Sequence, residues 1–287
     1  MIKEKALDTA LLNPSLLALA FAALPWPEAR KAAIWAAREE GREFRLPPGM
    51  ARDLARLEAE LPKWRVQAAQ REAKLCLPGD PGMDALMTPL PYPVALWVRG
   101  SLPSQPAVAI VGARKATPRG LEIARTFGRE LTRAGLAVLS GLARGIDGAA
   151  HEGALEAGPT WGVLGSGLDH PYPAEHAPLM ARMAERGGVI TCFPPWAHPK
   201  PKHFPRRNVL LAAWSEGVLV VEAQIRSGSF VTAKLALDHG KELFAVPGSE
   251  GTDALLEEGA AHPCESPQRL VEILAAGWPL GSGEAQR

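Results

Sequence analysis

The residues best able to do chemistry in this sequence lie in loops of glycine, serine and basic side chains. The apolar segment 108–111 runs into Gly112-Ala113-Arg114-Lys115-Ala116-Thr117. Glycine allows a tight turn and close approach of the backbone to a ligand, a following helix offers N–H groups to an anion, and Arg114 and Lys115 add charge. Segment 137–139 runs into Ser140-Gly141-Leu142-Ala143-Arg144-Gly145-Ile146-Asp147 with the same ingredients, and segment 161–164 into Gly165-Ser166-Gly167-Leu168. Segment 218–221 leads to Ser227-Gly228-Ser229 ahead of a helix expected to begin near Val231 or Thr232. Two hydroxyls, backbone N–H groups and a positive helix end make a phosphate cradle there, although either serine alone would serve as a cap. Val246-Pro247-Gly248-Ser249 closes the last strand with a fixed turn.

The stretch from Arg186 to Trp214 contains no Asp or Glu but holds Lys200, Lys202, His203, Phe204, Arg206, Arg207 and Asn208. Basic residues flanking an aromatic suit a single nucleic-acid strand, whose backbone follows the cations while a base stacks on the ring. Phe204 is equally readable as a core anchor in a solvated basic loop. Asp147 and His151 stand four apart, a helical spacing that invites an acid–base pair. The plainer reading is a capping aspartate and a structural histidine. His151-Glu152 is no zinc motif, because Leu155 stands where the second histidine is needed. A dinucleotide fingerprint would need glycine where His170 stands, and GxxxxGK[ST] is absent. With no credible nucleophile–base pair, we expect no catalytic residue, no metal and no cofactor. Several phosphate subsites in a row fit a strand better than one mononucleotide.

The elements that must position these loops follow two rhythms. Residues 1–75 have a helical pattern with no strand signal. Pro27 marks one helix start, Gly41 a stop, and Leu54, Leu57 and Leu61 recur at helical spacing. Residues 76–93 are a Pro/Gly-rich connector. Residues 94–276 alternate short apolar strands (94–98, 108–111, 137–139, 161–164, 189–191, 218–221 and 243–246) with amphipathic helices, and 277–287 form a tail. Thr117-Pro118 and Ser266-Pro267 open two of these helices, as cap and first-turn proline. The fold class expected is α/β: an extended Rossmann-like parallel sheet with helices on both faces, preceded by a small all-helical domain. Ligands of such sheets bind at the carboxyl ends of the strands, where all of these loops fall.

Composition sets outer bounds. A chain of 287 residues with 47% hydrophobic and 22% charged residues is globular. A net charge of +1 argues against a bulk polyanion binder but not against a local basic groove. Cys76, Cys192 and Cys264 form no CxxC pair, as expected of a reducing cytoplasm. The apolar run 15–26 is too short to span a bilayer. Asp8, Asn13 and Pro14 interrupt the region as a signal peptide, so a buried helix is expected there.

The motifs IVGARKATPRG, SGLARGIDGAAHEGAL, GVLGSGLDHPYP, FPRRN, VVEAQIRSGSFVTAKLA and FAVPGS together resemble the DNA-processing protein A family (DprA, also called Smf) over roughly residues 90–275. The resemblance implies a Rossmann-like domain that binds single-stranded DNA. It also implies a recombination mediator that protects incoming strands in natural transformation and loads RecA recombinase, acting as a homodimer without catalytic turnover. By position, Arg114 resembles the family's DNA-contacting arginine and Gly165 to Leu168 its phosphate loop. Lys202, Phe204 and Arg206 to Asn208 resemble its basic segment, and Ser227 to Ser229 its second phosphate loop. Residues 1–75 would resemble a sterile-alpha-motif-like or helix-hairpin-helix-like extension. The sequence departs from the family at Val209 and Ala174, where cations are usual, and at Thr191-Cys192 in place of Ser-Glu. Fewer cations imply weaker binding or a shallower salt slope. Many members carry a C-terminal winged-helix domain, for which this sequence ends too soon. The alternative from another class is a Rossmann-like phosphoribohydrolase acting on nucleotides, whose Pro-Gly-Gly-x-Gly-Thr loop is missing here.

Overall fold

The computed structural model describes residues 13–24, 26–42 and 48–277. Asp8, ahead of the apolar run, and the tail residues 278–287 lie outside the described residues. Helix α1 (Pro14–Ala23) opens with Asn13, whose side-chain oxygen accepts from the Ser15 amide at 2.8 Å. Leu16 to Ala22 are buried all round, as a helix apolar on every face must be. Helices α2 (Glu28–Glu39) and α3 (Pro48–Ala69) follow, and α3 turns Leu54 and Leu57 inward.

Strand β1 (Lys74–Cys76), the short helix α4 (Met83–Met87) and strand β2 (Leu96–Gly100) come next. Then follow β3 (Ala107–Val111), α5 (Pro118–Arg133), β4 (Ala137–Ser140), α6 (Ile146–Ala157), β5 (Thr160–Leu164), α7 (Ala177–Arg186) and β6 (Gly188–Thr191). The remaining elements are α8 (His203–Ala213), β7 (Gly217–Val220), α9 (Gly228–Asp238), β8 (Glu242–Ala245), α10 (Glu250–Glu257), β9 (His262–Pro263) and α11 (Pro267–Gly277). The nine strands among the described residues make one sheet in the order β1-β2-β6-β5-β4-β3-β7-β8-β9. From β6 to β9 every pairing is parallel. The chain steps outward from β3 through β4 and β5 to β6, then returns to lay β7 on the other side of β3. That reversal is the crevice where such sheets take ligands.

Three expectations need correction. The segment expected as strand 94–98 is β2, Leu96–Gly100, and it pairs antiparallel with β6, so the sheet is mixed, though mostly parallel. Leu96, Trp97 and Val98 are buried on both faces, and two-sided burial reports coverage, not direction. Lys74–Cys76 forms β1, antiparallel to β2, where only helix and connector were expected. Three residues are too few to display strand alternation. Helix α9 begins at Gly228, because Ser227 accepts from the Phe230 amide and starts the helix early.

The helical region shares its core with the sheet. Trp64 of α3 packs on Trp97 of β2 with ring centroids 5.9 Å apart, and Phe21 of α1 meets Tyr92 at 5.4 Å. Arg206 reaches back from α8 to donate to the Phe21 carbonyl at 2.9 Å. The segment Pro91-Tyr92-Pro93 is therefore a junction, with the Tyr92 hydroxyl donating to Glu28 of α2. No described helix is long and apolar enough to cross a membrane.

Candidate functional site

A cavity of about 700 Å³ opens at the carboxyl ends of β3, β4 and β7, at the reversal of strand order. The loop after β3 contributes Gly112, Arg114 and Lys115, the first turn of α9 contributes Ser227 to Ser229, and α8 contributes Phe204, Arg207 and Asn208. Arg114 and Lys115 are exposed and have no carboxylate partner among the described residues. The Arg114 guanidinium lies 5.5 Å from the centre of the Phe204 ring, a cation–π distance. Phe204 is thus neither a plain core anchor nor a free platform. It is half-buried, with its ring against Gly165, where a Cβ would come within 2.7 Å of a ring carbon.

The two helix starts at this edge differ in what they can still bind. At α5 the anion is already supplied by the protein. Glu222, at the end of β7, accepts from the Thr117 amide and hydroxyl at 3.0 Å each. That carboxylate weakens the pull of this helix start on a second anion, while the Arg119 amide has no protein acceptor among the described residues. At α9 the Ser227 hydroxyl caps the Phe230 amide at 3.3 Å, while the Gly228 and Ser229 amides have no protein acceptor among the described residues. The start of α9 is therefore the open anion position.

Two buried ionisable side chains, Asp147 and Arg207, lie at the cavity floor. Asp147, in the first turn of α6, accepts from the Gly141 amide at 3.0 Å and the Ala143 amide at 3.3 Å. Arg207 packs across Gly141, where an added Cβ would fall 1.8 Å from its Nη1, and donates to the Val163 carbonyl at 2.6 Å. Burial pushes the Asp147 carboxyl up and the Arg207 guanidinium down to about 10, against their mutual attraction. Arg207 so remains charged at neutral pH. Asp147 is not the residue before the helix; Gly145 holds that place at φ 75°, a conformation open to glycine.

His151 does not pair with Asp147. Its Nδ1 lies 2.8 Å from the Thr160 hydroxyl, which itself donates to the Val138 carbonyl at 2.8 Å. The hydroxyl's one proton is spent, so His151 must donate from Nδ1. Its buried Nε2 has no partner, and burial holds its pKa at about 3. Between about pH 6.5 and 3 the unfolded chain binds a proton that the folded chain refuses, so stability falls as the pH drops through that window. Urea unfolding at pH 7.5 and pH 5 should show wild type losing about 2 kcal/mol more than His151→Gln. Equal losses would show that His151 takes up its proton in the folded state.

The other candidate residues divide by place. Ser140 is buried, its hydroxyl donating to the Ile110 carbonyl at 2.5 Å. Arg144 is exposed beside Arg114 and Phe204 at a small annex of the cavity, where it pairs with Glu175. Gly165 to Leu168 do not line the main cavity. Ser166 and Leu168 are buried, and Gly167 is covered by segment 194–198, its amide donating to the Ala197 carbonyl at 2.7 Å. This loop is a bed for Phe204 and that segment. Lys200 and Lys202 are exposed, whereas His203 stacks on Phe193 at 4.0 Å and Arg206 turns toward the helical region. Sequence reasoning missed Glu222, Ser249 and Glu250 as lining residues. Their positions after β7 and β8 were the available signal. No described group of histidine, cysteine or acidic residues is placed to hold a metal ion.

A family model described as DNA recombination-mediator protein A matches residues 82–275. Protein Smf of Escherichia coli strain K12 is 43% identical over 202 residues, 67% of this chain and 54% of that protein. DNA processing protein DprA of Streptococcus pneumoniae strain R6 is 38% identical over 177 residues, 58% of this chain and 62% of that protein. The X-ray structure of DprA from Streptococcus pneumoniae aligns with TM-score 0.71 at 29% identity, covering 92% of this chain and 94% of that one. The structure of DNA processing protein A from Helicobacter pylori, described for a unique single-stranded DNA binding mode, aligns with TM-score 0.63 at 31% identity, covering 67% and 93%. The chain spans about half the length of the curated relatives it matches.

Proposed function

The chain belongs to the DNA recombination-mediator protein A family, and from that premise we propose that it binds single-stranded DNA in the cavity at the strand ends. One observation carries this reading. Arg114, braced on the Phe204 ring, and the open amides of Gly228 and Ser229 converge on a single cavity, so a cation and a helix N-terminus face the same ligand. Lys115, Gly112 and Arg144 border it, and Lys200 and Lys202 extend the positive surface beyond it. Gly141, Arg207 and Asn208 hold its floor. The Helicobacter pylori relative, with its single-stranded DNA binding, supports the assignment.

In this reading the protein is a mediator without catalytic turnover. It works in the cytoplasm as a homodimer, protects incoming strands in natural transformation and hands them to RecA. A nucleotide-hydrolase reading draws on Glu222 and Glu250, which line the same cavity, but Glu222 is committed to Thr117.

Anisotropy titration with a labelled strand of about twenty nucleotides tests the proposal. Binding should exceed that to a duplex of equal length, and log K should fall linearly with log salt, by about 0.7 per phosphate neutralised. Binding no tighter than to duplex, or insensitive to salt, would overturn it. Release of free base from nucleoside monophosphates would move the assignment to the hydrolase class.

A further inference from the structure

Helix α8 sorts its first residues by the 3.6-residue period. Phe204, Arg207 and Asn208 face the strand-end cavity. His203 and Arg206 face the other way, into a second cavity of about 460 Å³ between the N-terminal helices and segment 193–203. The two cavities thus flank the same turn of α8.

The second cavity has the chemistry of a single-strand site. Trp196 is 41% exposed, an unusual condition for so large an apolar ring. Its position is nevertheless fixed, because it meets Trp64 at 5.0 Å and Trp64 packs on Trp97 at 5.9 Å. Lys31, His198, Lys200 and Lys202 line the same cavity, Lys31 being buried against Glu28. Glu28 is the carboxylate among the lining residues, and it is already engaged by Lys31 at 2.7 Å and by the Tyr92 hydroxyl. Lys200 and Lys202 have no acidic partner among the described residues. His203, in the same wall, has a buried Nδ1 without a hydrogen-bond partner.

We propose that this cleft is a second subsite for the same single strand, in which a base stacks on Trp196 while Lys200 and Lys202 carry the adjoining phosphates. The strand then runs from the strand-end cavity over the first turn of α8 onto the helical region. An acidic peptide would satisfy the lysines but offers no flat ring to cover Trp196. This inference rests on the single-strand reading of the first cavity.

The test compares labelled oligothymidines of about six and about twenty nucleotides, bracketing the length one site accommodates. Trp196→Leu keeps apolar packing on Trp64 but removes the broad ring. It is expected to weaken the longer oligonucleotide about tenfold, the loss of one stacked base, and to leave the shorter one unchanged. Trp196→Phe should restore most of that loss. A second readout uses the unaltered protein: a bromodeoxyuridine-substituted long strand should photocrosslink to the peptide carrying Trp196, and a short one should not. Wild-type affinity of Trp196→Leu for the long strand, or no crosslink at that peptide, overturns the cleft, whether or not Arg114→Ala loses both lengths. Failure of the wild-type protein to bind either length overturns both readings together.

Discussion

Arg114→Ala is expected to weaken binding of a labelled single strand by roughly ten- to a hundredfold, the range of about 1.5–3 kcal/mol for a hydrogen bond to a charged group. The melting temperature should stay near that of wild type. Arg114 is exposed and makes no ion pair among the described residues, so removing it leaves no buried group unsatisfied. Its place over Phe204 braces the guanidinium, so the phosphate it meets is held in one geometry. The salt slope should also fall by about 0.7, one phosphate's share for a single strand. Arg114→Lys should recover the slope but not all of the affinity, since an ammonium lacks the planar fork. An unchanged affinity in Arg114→Ala would remove the cavity from the DNA path.

Asp147→Ala is expected to lower the unfolding free energy by about 2–4 kcal/mol, since two amide donors lose their acceptor at about 1–3 kcal/mol each. The loss has two named parts. The amides of Gly141 and Ala143 lose their acceptor, and the buried Arg207 guanidinium loses the attraction of the nearby carboxyl. Because Arg207 packs over Gly141 and anchors to Val163, the cavity floor should loosen and strand binding should weaken as well. Asp147→Asn retains an acceptor and should cost less. Urea unfolding at neutral pH distinguishes the variants. A loss below about 1 kcal/mol for Asp147→Ala would mean that water satisfies the amides and the arginine alike.

The chemistry of the strand-end loops was legible because it is local. Thr117-Pro118 starts a helix wherever it stands, and the alternation of apolar strand, glycine turn and amphipathic helix leaves few folds to choose from. Six of the seven expected strands lie within a residue or so of their places. The direction of β2 was not legible, because burial of Leu96, Trp97 and Val98 on both faces is the same in parallel and antiparallel neighbours. Nor was β1, whose three residues are held by pairing across the sequence with β2.

By itself the sequence placed Arg114, Lys115 and Ser227 to Ser229 in loops after apolar strands and Phe204 in a basic, acid-free segment, since short-range periodicity and composition are enough to read both. Only the tertiary structure decided which of them share a cavity. It spends the α5 N-terminus on Glu222, buries Arg207 against Gly141, sinks Gly165 to Leu168 under segment 194–198, and turns Arg206 toward Phe21. Each of these depends on a partner far away in sequence. A basic residue's charge is written in its side chain, but whether that charge faces solvent, a carboxylate or a buried carbonyl is set by what packs against it.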